Sequence, residues 1–282
     1  MNWLLLALCV VTNTSQNILK KQNARIGGSG PYFFSAVSSA VATVFFAVCS
    51  TWSLPRPELL VYTAAVAVTF VAAHIFSTLA MQYGSLANTA LVLSYALFVP
   101  AAVGLLFWNE PMSPVRYVGL ALMLLSLFLT NYVRGQGKQH LSAKWAVCAL
   151  LAFAGNGFCS VFMRLGQQYI DDPNQMMAMA LVPVTLVLVL LTVRHERATL
   201  TRQAAVRSGA MAMPVGLFIG ATNLLVLLLN ERMPASVLFP VIAVGGLILT
   251  FVFSALVYRE KSTPAQTVGF WIGVVSVLLL TV

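Results

Sequence analysis

Long apolar runs, each closed by a short polar or charged break, fill this chain from its first residues to its last. A bilayer core takes about 20 residues of α-helix. On that ruler the runs predict ten spans, at 2–20, 31–53, 58–82, 86–108, 114–133, 143–164, 173–193, 209–230, 235–257 and 264–282. Helix is the expected conformation because a segment in lipid must satisfy its own backbone hydrogen bonds. Barrel strands would be shorter and would alternate polar with apolar positions, which these runs do not.

The polar positions inside the spans are not scattered. The first span carries the run Thr12-Asn13-Thr14-Ser15-Gln16-Asn17, in which Asn13, Gln16, Asn17 and Lys20 fall on one helical face. His74, Ser77, Thr78 and Gln82 share a face of the third span, and Asn88 and Tyr95 lie seven apart in the fourth. Asn156 and Ser160 are four apart in the sixth span, and Asn223 and Asn230 seven apart in the eighth. Polar groups in lipid cost free energy unless they face protein or water. They are read either as bonds between helices, worth about 0.6 kcal/mol each, or as the lining of a wet cavity. Because amides recur in both halves of the chain, the set Asn13, Gln16, Asn17, His74, Thr78, Asn88, Tyr95, Asn156 and Asn223 is taken as a candidate solute site. His74 is the one histidine within a predicted span, so it is a proton-sensing candidate as well as a helix-bonding one.

Composition places the chain firmly in the membrane class. Hydrophobic residues make up 60% and charged residues 8%, against about a quarter charged in a soluble domain. The formal charge of +9 is explained by its placement. The odd-numbered loops hold twelve of the basic residues and the even-numbered loops four, so the odd loops are expected in the cytoplasm and both termini outside it. No aromatic-basic motif accompanies the charge, and no nucleic-acid partner is expected. The first span reads as a retained helix rather than a signal peptide, since its lysines follow the apolar run. Cys9, Cys49, Cys148 and Cys159 lack metal-ligand spacing and read as small packing residues.

Residues 110–119, EPMSPVRYVG, and 260–269, EKSTPAQTVG, share the pattern E-x-x-[ST]-P-x-x-x-V-G at an offset of 150. Ser113 and Thr263 are suited to cap helices opened by Pro114 and Pro264. The match places a fifth helix at the end of each half. Two five-helix halves in sequence cross the membrane in opposite senses, the architecture of secondary transporters. The fold expected is therefore an all-α polytopic membrane protein, ten transmembrane helices in two inverted five-helix repeats, residues 1–136 and 137–282. With Pro100, Glu110, Pro114 and Gly119 in one half and Glu260, Pro264 and Gly269 in the other, the chain resembles the drug/metabolite transporter superfamily, and within it the EamA-type members. Thr250 departs from that pattern where Pro100 would recur. The resemblance implies transport of a small solute across the cell (inner) membrane, with the solute class left open.

The reading carried forward is alternating-access transport of a small polar organic solute, an amino acid or related metabolite, by a lipid-embedded monomer with no cofactor and no metal. Gly104, Gly245 and Gly246 are expected to allow close helix contacts. The carboxylates all fall at span edges or in loops, which disfavours proton-coupled export of cationic drugs. An aromatic cage for quaternary amines would draw on Trp3, Tyr62, Tyr95 and Trp108. A prenyltransferase-like enzyme would use Asp171 and Asp172 of DDPNQ, but metal-diphosphate chemistry needs a second acidic motif, which is missing. A non-transporting accessory subunit would have no need of polar stripes in both halves.

Overall fold

The computed structural model describes residues 2–25, 30–52, 57–83, 89, 92, 93, 95–108, 110, 112–131, 142–169, 171–198, 200–257 and 263–281. Among them are ten α-helices and no strand. The helices are α1 (Asn2–Arg25), α2 (Pro31–Cys49), α3 (Pro57–Tyr83), α4 (Phe98–Phe107), α5 (Pro114–Asn131), α6 (Ala143–Tyr169), α7 (Pro173–His195), α8 (Arg202–Asn230), α9 (Ala235–Val257) and α10 (Pro264–Thr281). A 3-10 turn, Tyr95–Leu97, leads into α4.

Each helix falls on a predicted span, and the differences are at the ends. Helix α6 continues past Arg164 to Tyr169, and α8 starts at Arg202, a full two turns before the apolar run. The apolar ruler measures only the length that needs lipid. Residues that are good helix formers extend beyond it, and Thr201 caps α8 by accepting from the Ala204 N–H at 3.2 Å. Among the described residues, six helices are long and apolar enough to cross a membrane: α2, α3, α6, α7, α8 and α9. Helices α4, α5 and α10 are shorter apolar helices, and α1 is diluted by its polar run. Outward faces carry exposed Leu4, Val48, Val68, Leu106, Phe107 and Leu256, an apolar surface suited to lipid.

The chain forms two compact units, and each draws on both ends of the sequence. The first holds Trp3–Val71 with Phe162–Glu231. Its centre is α2, which runs antiparallel to α7 and parallel to α8. Along α8, Gly216 and Gly220 let α2 approach closely: a Cβ on Gly216 would stand 2.5 Å from the Ser38 carbonyl oxygen, and one on Gly220 2.6 Å from the Phe45 ring. The α2–α7 pair is tied in its middle by Ser39 and Thr185 hydroxyls, 2.9 Å apart. Carboxylates tie it at both ends. Glu196, just after α7, accepts from the N–H groups of Tyr32 and Phe33 at 2.8 Å each. At the other end Asp172 caps α7 through Asn174 and Gln175 N–H, and takes the Ser50 hydroxyl and both the N–H and hydroxyl of Thr51.

The Asp172 carboxyl titrates accordingly. Burial pushes it up, but the hydrogen bonds from Thr51, Ser50 and Gln175 outweigh burial and hold it below the ordinary value of 3.8. A lowered folded value means that its stabilisation is fully present above pH 3.8 and is lost as pH falls through the folded value. Wild type should therefore lose thermal stability in that acid window. Asp172→Asn should show a smaller loss there, while starting lower at neutral pH. Identical acid profiles for the two proteins would refute this role.

The second unit holds Ala72–Val161 with Arg232–Val282. Helices α5 and α10 pack antiparallel through a reciprocal pair of bonds. The Ser126 hydroxyl donates to the Gly269 carbonyl at 2.7 Å, and the Ser276 hydroxyl to the Gly119 carbonyl at 2.9 Å. All four residues are buried, and Met123, Leu127 and Val244 form the core beside them. Ser126→Ala and Ser276→Ala should each cost about 0.5–1.5 kcal/mol, by matching amounts. Thermal unfolding of both single variants and the double variant measures this. A large effect of one with none of the other would break the equivalence.

At the far end of α4, Glu110 repeats the Glu196 arrangement. It accepts from the Ala235 and Ser236 N–H groups at 2.8 and 2.9 Å and from the Ser236 hydroxyl at 2.7 Å. Both glutamates cover the opening turn of a helix with a proline at its start, Pro31 as the first residue of α2 or Pro234 just before α9, and both lie against a glycine, Gly30 or Gly104. Helix openings expose N–H groups and positive dipole, so a carboxylate there is doubly favoured.

Candidate solute-binding site

Helix α1 divides its polar run between two roles. Its Thr12 hydroxyl accepts from that of Thr222 at 2.9 Å, Cys9 Sγ lies 3.8 Å from the Thr222 carbonyl, and the Ser208 hydroxyl donates to Asn23 at 3.0 Å. These contacts make α1 and α8 antiparallel and account for Thr12 and Asn23 as bonds between helices. Thr14 turns back to its own helix, donating to the Val10 carbonyl. The neighbouring face is the predicted one. Gln16 is buried and donates to Asn13 at 2.9 Å, while Asn17 and Lys20 are exposed. Asn223 is half-buried and bonds the Ile219 carbonyl of its own helix. Asn13 and Asn223 each directly follow a partner of the Thr12–Thr222 bond, so the two residues lie near one level of the α1–α8 pair.

A second group of predicted residues meets in the second unit. Pro100 has no N–H to donate to the carbonyl four residues back, which is that of Ala96. The chain there is a 3-10 turn, and α6 comes against it: a Cβ on Gly157 would stand 3.0 Å from the Ala96 carbonyl oxygen and 2.5 Å from Val99. Tyr95 and Asn156, one residue before each contact, therefore lie at one level. The Tyr95 hydroxyl donates to the Leu124 carbonyl at 3.1 Å, and exposed Asn156 bonds the Ala152 carbonyl of its own helix. His74 is half-buried in α3 of the same unit. Asn88 and the side chain of Thr78 lie outside the described residues.

Sequence patterning missed one polar cluster. Gln167 donates to the Leu227 carbonyl at 2.8 Å and accepts from the Asn230 amide at 2.7 Å, linking the last turns of α6 and α8. The Oδ1 of Asn230 and the Oγ1 of Thr63 are buried without a hydrogen-bond partner among the described residues. Gln167 falls beyond the predicted end of the sixth span, so no intramembrane signal marked it. Of the cysteines, Cys9, Cys148 and Cys159 are buried and Cys49 is exposed. The Asp172 oxygens are engaged by five donors from α7 and the end of α2, a structural use of the DDPNQ segment.

Residues 143–282 match the profile of the EamA-like transporter family. The chain belongs to that family. It is a multi-pass membrane transporter of the drug/metabolite transporter superfamily, as the paired E-x-x-[ST]-P-x-x-x-V-G segments led one to expect. One solved structure, a crystal structure of a protein, has a similar fold with a TM-score of 0.80 at 12% identity, covering 100% of this chain and 98% of that one. No curated protein sequence matches this EamA-like chain.

Proposed function

We propose that this EamA-like transporter is a secondary carrier for a small polar organic solute, an amino acid or related metabolite. It works by alternating access and consists of ten spans in two inverted halves, residues 1–136 and 137–282. The reciprocal bonds of Ser126 with Gly269 and Ser276 with Gly119 support the inverted repeat, because each residue and its counterpart are 150 apart, the offset of the decapeptide match. The loop charges favour both termini outside the cytoplasm, in a cell (inner) membrane protein acting as a monomer.

The observation that carries the solute class is the level shared by Asn13 and Asn223, with Gln16 bonded to Asn13. Neutral amides offer donors and acceptors together, and suit solutes with hydroxyl, amino or carboxyl groups. Asn17 is proposed with them on α1, and His74, Thr78, Asn88, Tyr95 and Asn156 are proposed as solute contacts of the second unit by itself. Thermal unfolding of purified protein against amino acids, amines, sugars and nucleotides should reveal a class that stabilises it by mass action. Asn13→Ala with Asn223→Ala should abolish that shift and lower transport in proteoliposomes by about tenfold or more, two lost hydrogen bonds. Unimpaired transport after Asn13→Ala, Asn17→Ala and Asn223→Ala together would overturn the site.

A further inference from the structure

The end of α7, the turn after it and the start of α8 hold Arg194, Arg197, Arg202 and Arg207, all exposed. One carboxylate lies among them, Glu196, whose oxygens accept from the Tyr32 and Phe33 N–H groups. Four guanidinium groups against this one carboxylate leave this end of the unit with net positive charge. Asp171 and Asp172 stand at the opposite end of α7, about 34 Å away by helix rise, and Glu231 follows the opposite end of α8. The Asn23–Ser208 bond adds the end of α1, with exposed Lys20, to the same end of this unit.

The geometry of α8 shapes this charge. At 100° per residue, Arg202, Val206, Gln203 and Arg207 follow one another across a single arc, with the two guanidinium groups at its edges. These four residues line an open recess of about 640 Å³. Apolar stripes lead away from the arginines on both helices. Helix α7 exposes Leu186, Leu190 and Val193, and α8 exposes Val206, Met213 and Leu217. A ligand suited to this surface is anionic at one end and apolar along its length.

We propose that the recess between Arg202 and Arg207 binds the phosphate headgroup of an anionic phospholipid, with its acyl chains along the exposed Val206, Met213 and Leu217 stripe of α8. Guanidinium forks bind phosphate oxygens in pairs, which ammonium groups do not. Basic residues next to a membrane helix attract anionic lipid, and here a recess gives that attraction a fixed place. Gln203 supplies a neutral donor at the centre of the arc.

The test compares thermal unfolding of the detergent-purified protein with added phosphatidylglycerol or phosphatidylcholine, alongside the Arg202→Gln/Arg207→Gln double variant and a Lys144→Gln control. Wild type and the control should gain about 2–4 °C more from phosphatidylglycerol than from phosphatidylcholine. The double variant should lose that difference while keeping its stability in phosphatidylcholine. Arg202→Lys/Arg207→Lys should keep only part of it. Equal gains from the two lipids in wild type would overturn the proposal, as would equal losses in the control and the double variant. Stabilisation by inorganic phosphate matching that by phosphatidylglycerol would also overturn it, assigning the recess to a soluble anion. None of these readouts involves transport, so they stand or fall separately from the carrier site.

Discussion

Gly216→Leu should leave most of the protein unable to reach its native fold, the largest effect expected of any single change here. The glycine faces α2 where the backbones come closest, with the Ser38 carbonyl oxygen 2.5 Å and the Val41 Cβ 2.6 Å from the position of an added Cβ. Backbone cannot swing aside as a flexible side chain can, so α2 and α8 must separate. Separation also strains the Phe34, Ala212 and Val215 cluster and the bonds from α2 to α7. Overpacking costs about 1–3 kcal/mol for an extra methylene or two, and leucine adds four carbons. Gly209, two turns earlier in the same helix, has nothing within 4 Å of an added Cβ. Gly209→Ala should be neutral or stabilising by up to about 1 kcal/mol through helix propensity. Detergent-solubilised yield and apparent Tm measure both. A tolerated Gly216→Leu, or a harmful Gly209→Ala, would contradict this packing.

Removal of the Glu196 carboxylate ranks second. Glu196→Ala should cost about 2–4 kcal/mol, because it strips the acceptor from two N–H groups at the start of α2 and leaves them poorly solvated. It also removes an anion from the positive end of the helix dipole. Glu196→Gln retains one acceptor oxygen and should lose about half as much. Gly30→Ala tests the same contact from the other side, since its Cβ would meet the Glu196 carboxyl group. Apparent Tm should follow the order wild type, Glu196→Gln, Glu196→Ala. Indistinguishable unfolding of wild type and Glu196→Ala would show that α2 does not depend on this cap.

The polar run in α1 marks the limit of sequence reading most clearly. Helical spacing identified Asn13, Gln16, Asn17 and Lys20 as one face, and Gln16 does bond Asn13. Spacing could not separate that face from the next one, because Thr12 and Asn13 are chemically similar and adjacent. Only the position of α8 assigns Thr12 to Thr222 and leaves Asn13 beside it. Tyr95 and Asn156 were marked by polarity, whereas their shared level depends on Pro100 and Gly157, two residues without polar side chains.

The carboxylates were legible by location and not by use. Their absence from apolar cores placed Glu110, Asp172 and Glu196 at span edges, since an unpaired charge in lipid is too costly. Asp172 caps its own helix locally, but its tie to Thr51 and the helices that Glu110 and Glu196 cap are long-range facts, separated by more than a hundred residues. No local pattern encodes such a pairing.

By itself, then, the sequence determined the ten helices, their membrane setting and the matched decapeptides, all consequences of local hydrophobicity and backbone chemistry. The tertiary structure decided that α2 lies between α7 and α8, that Ser126 and Ser276 bond each other's helices, and that Glu196 caps α2. Those outcomes depend on which surfaces meet at distances of a few ångströms. Periodicity reports the face a residue occupies, and packing alone chooses what that face touches.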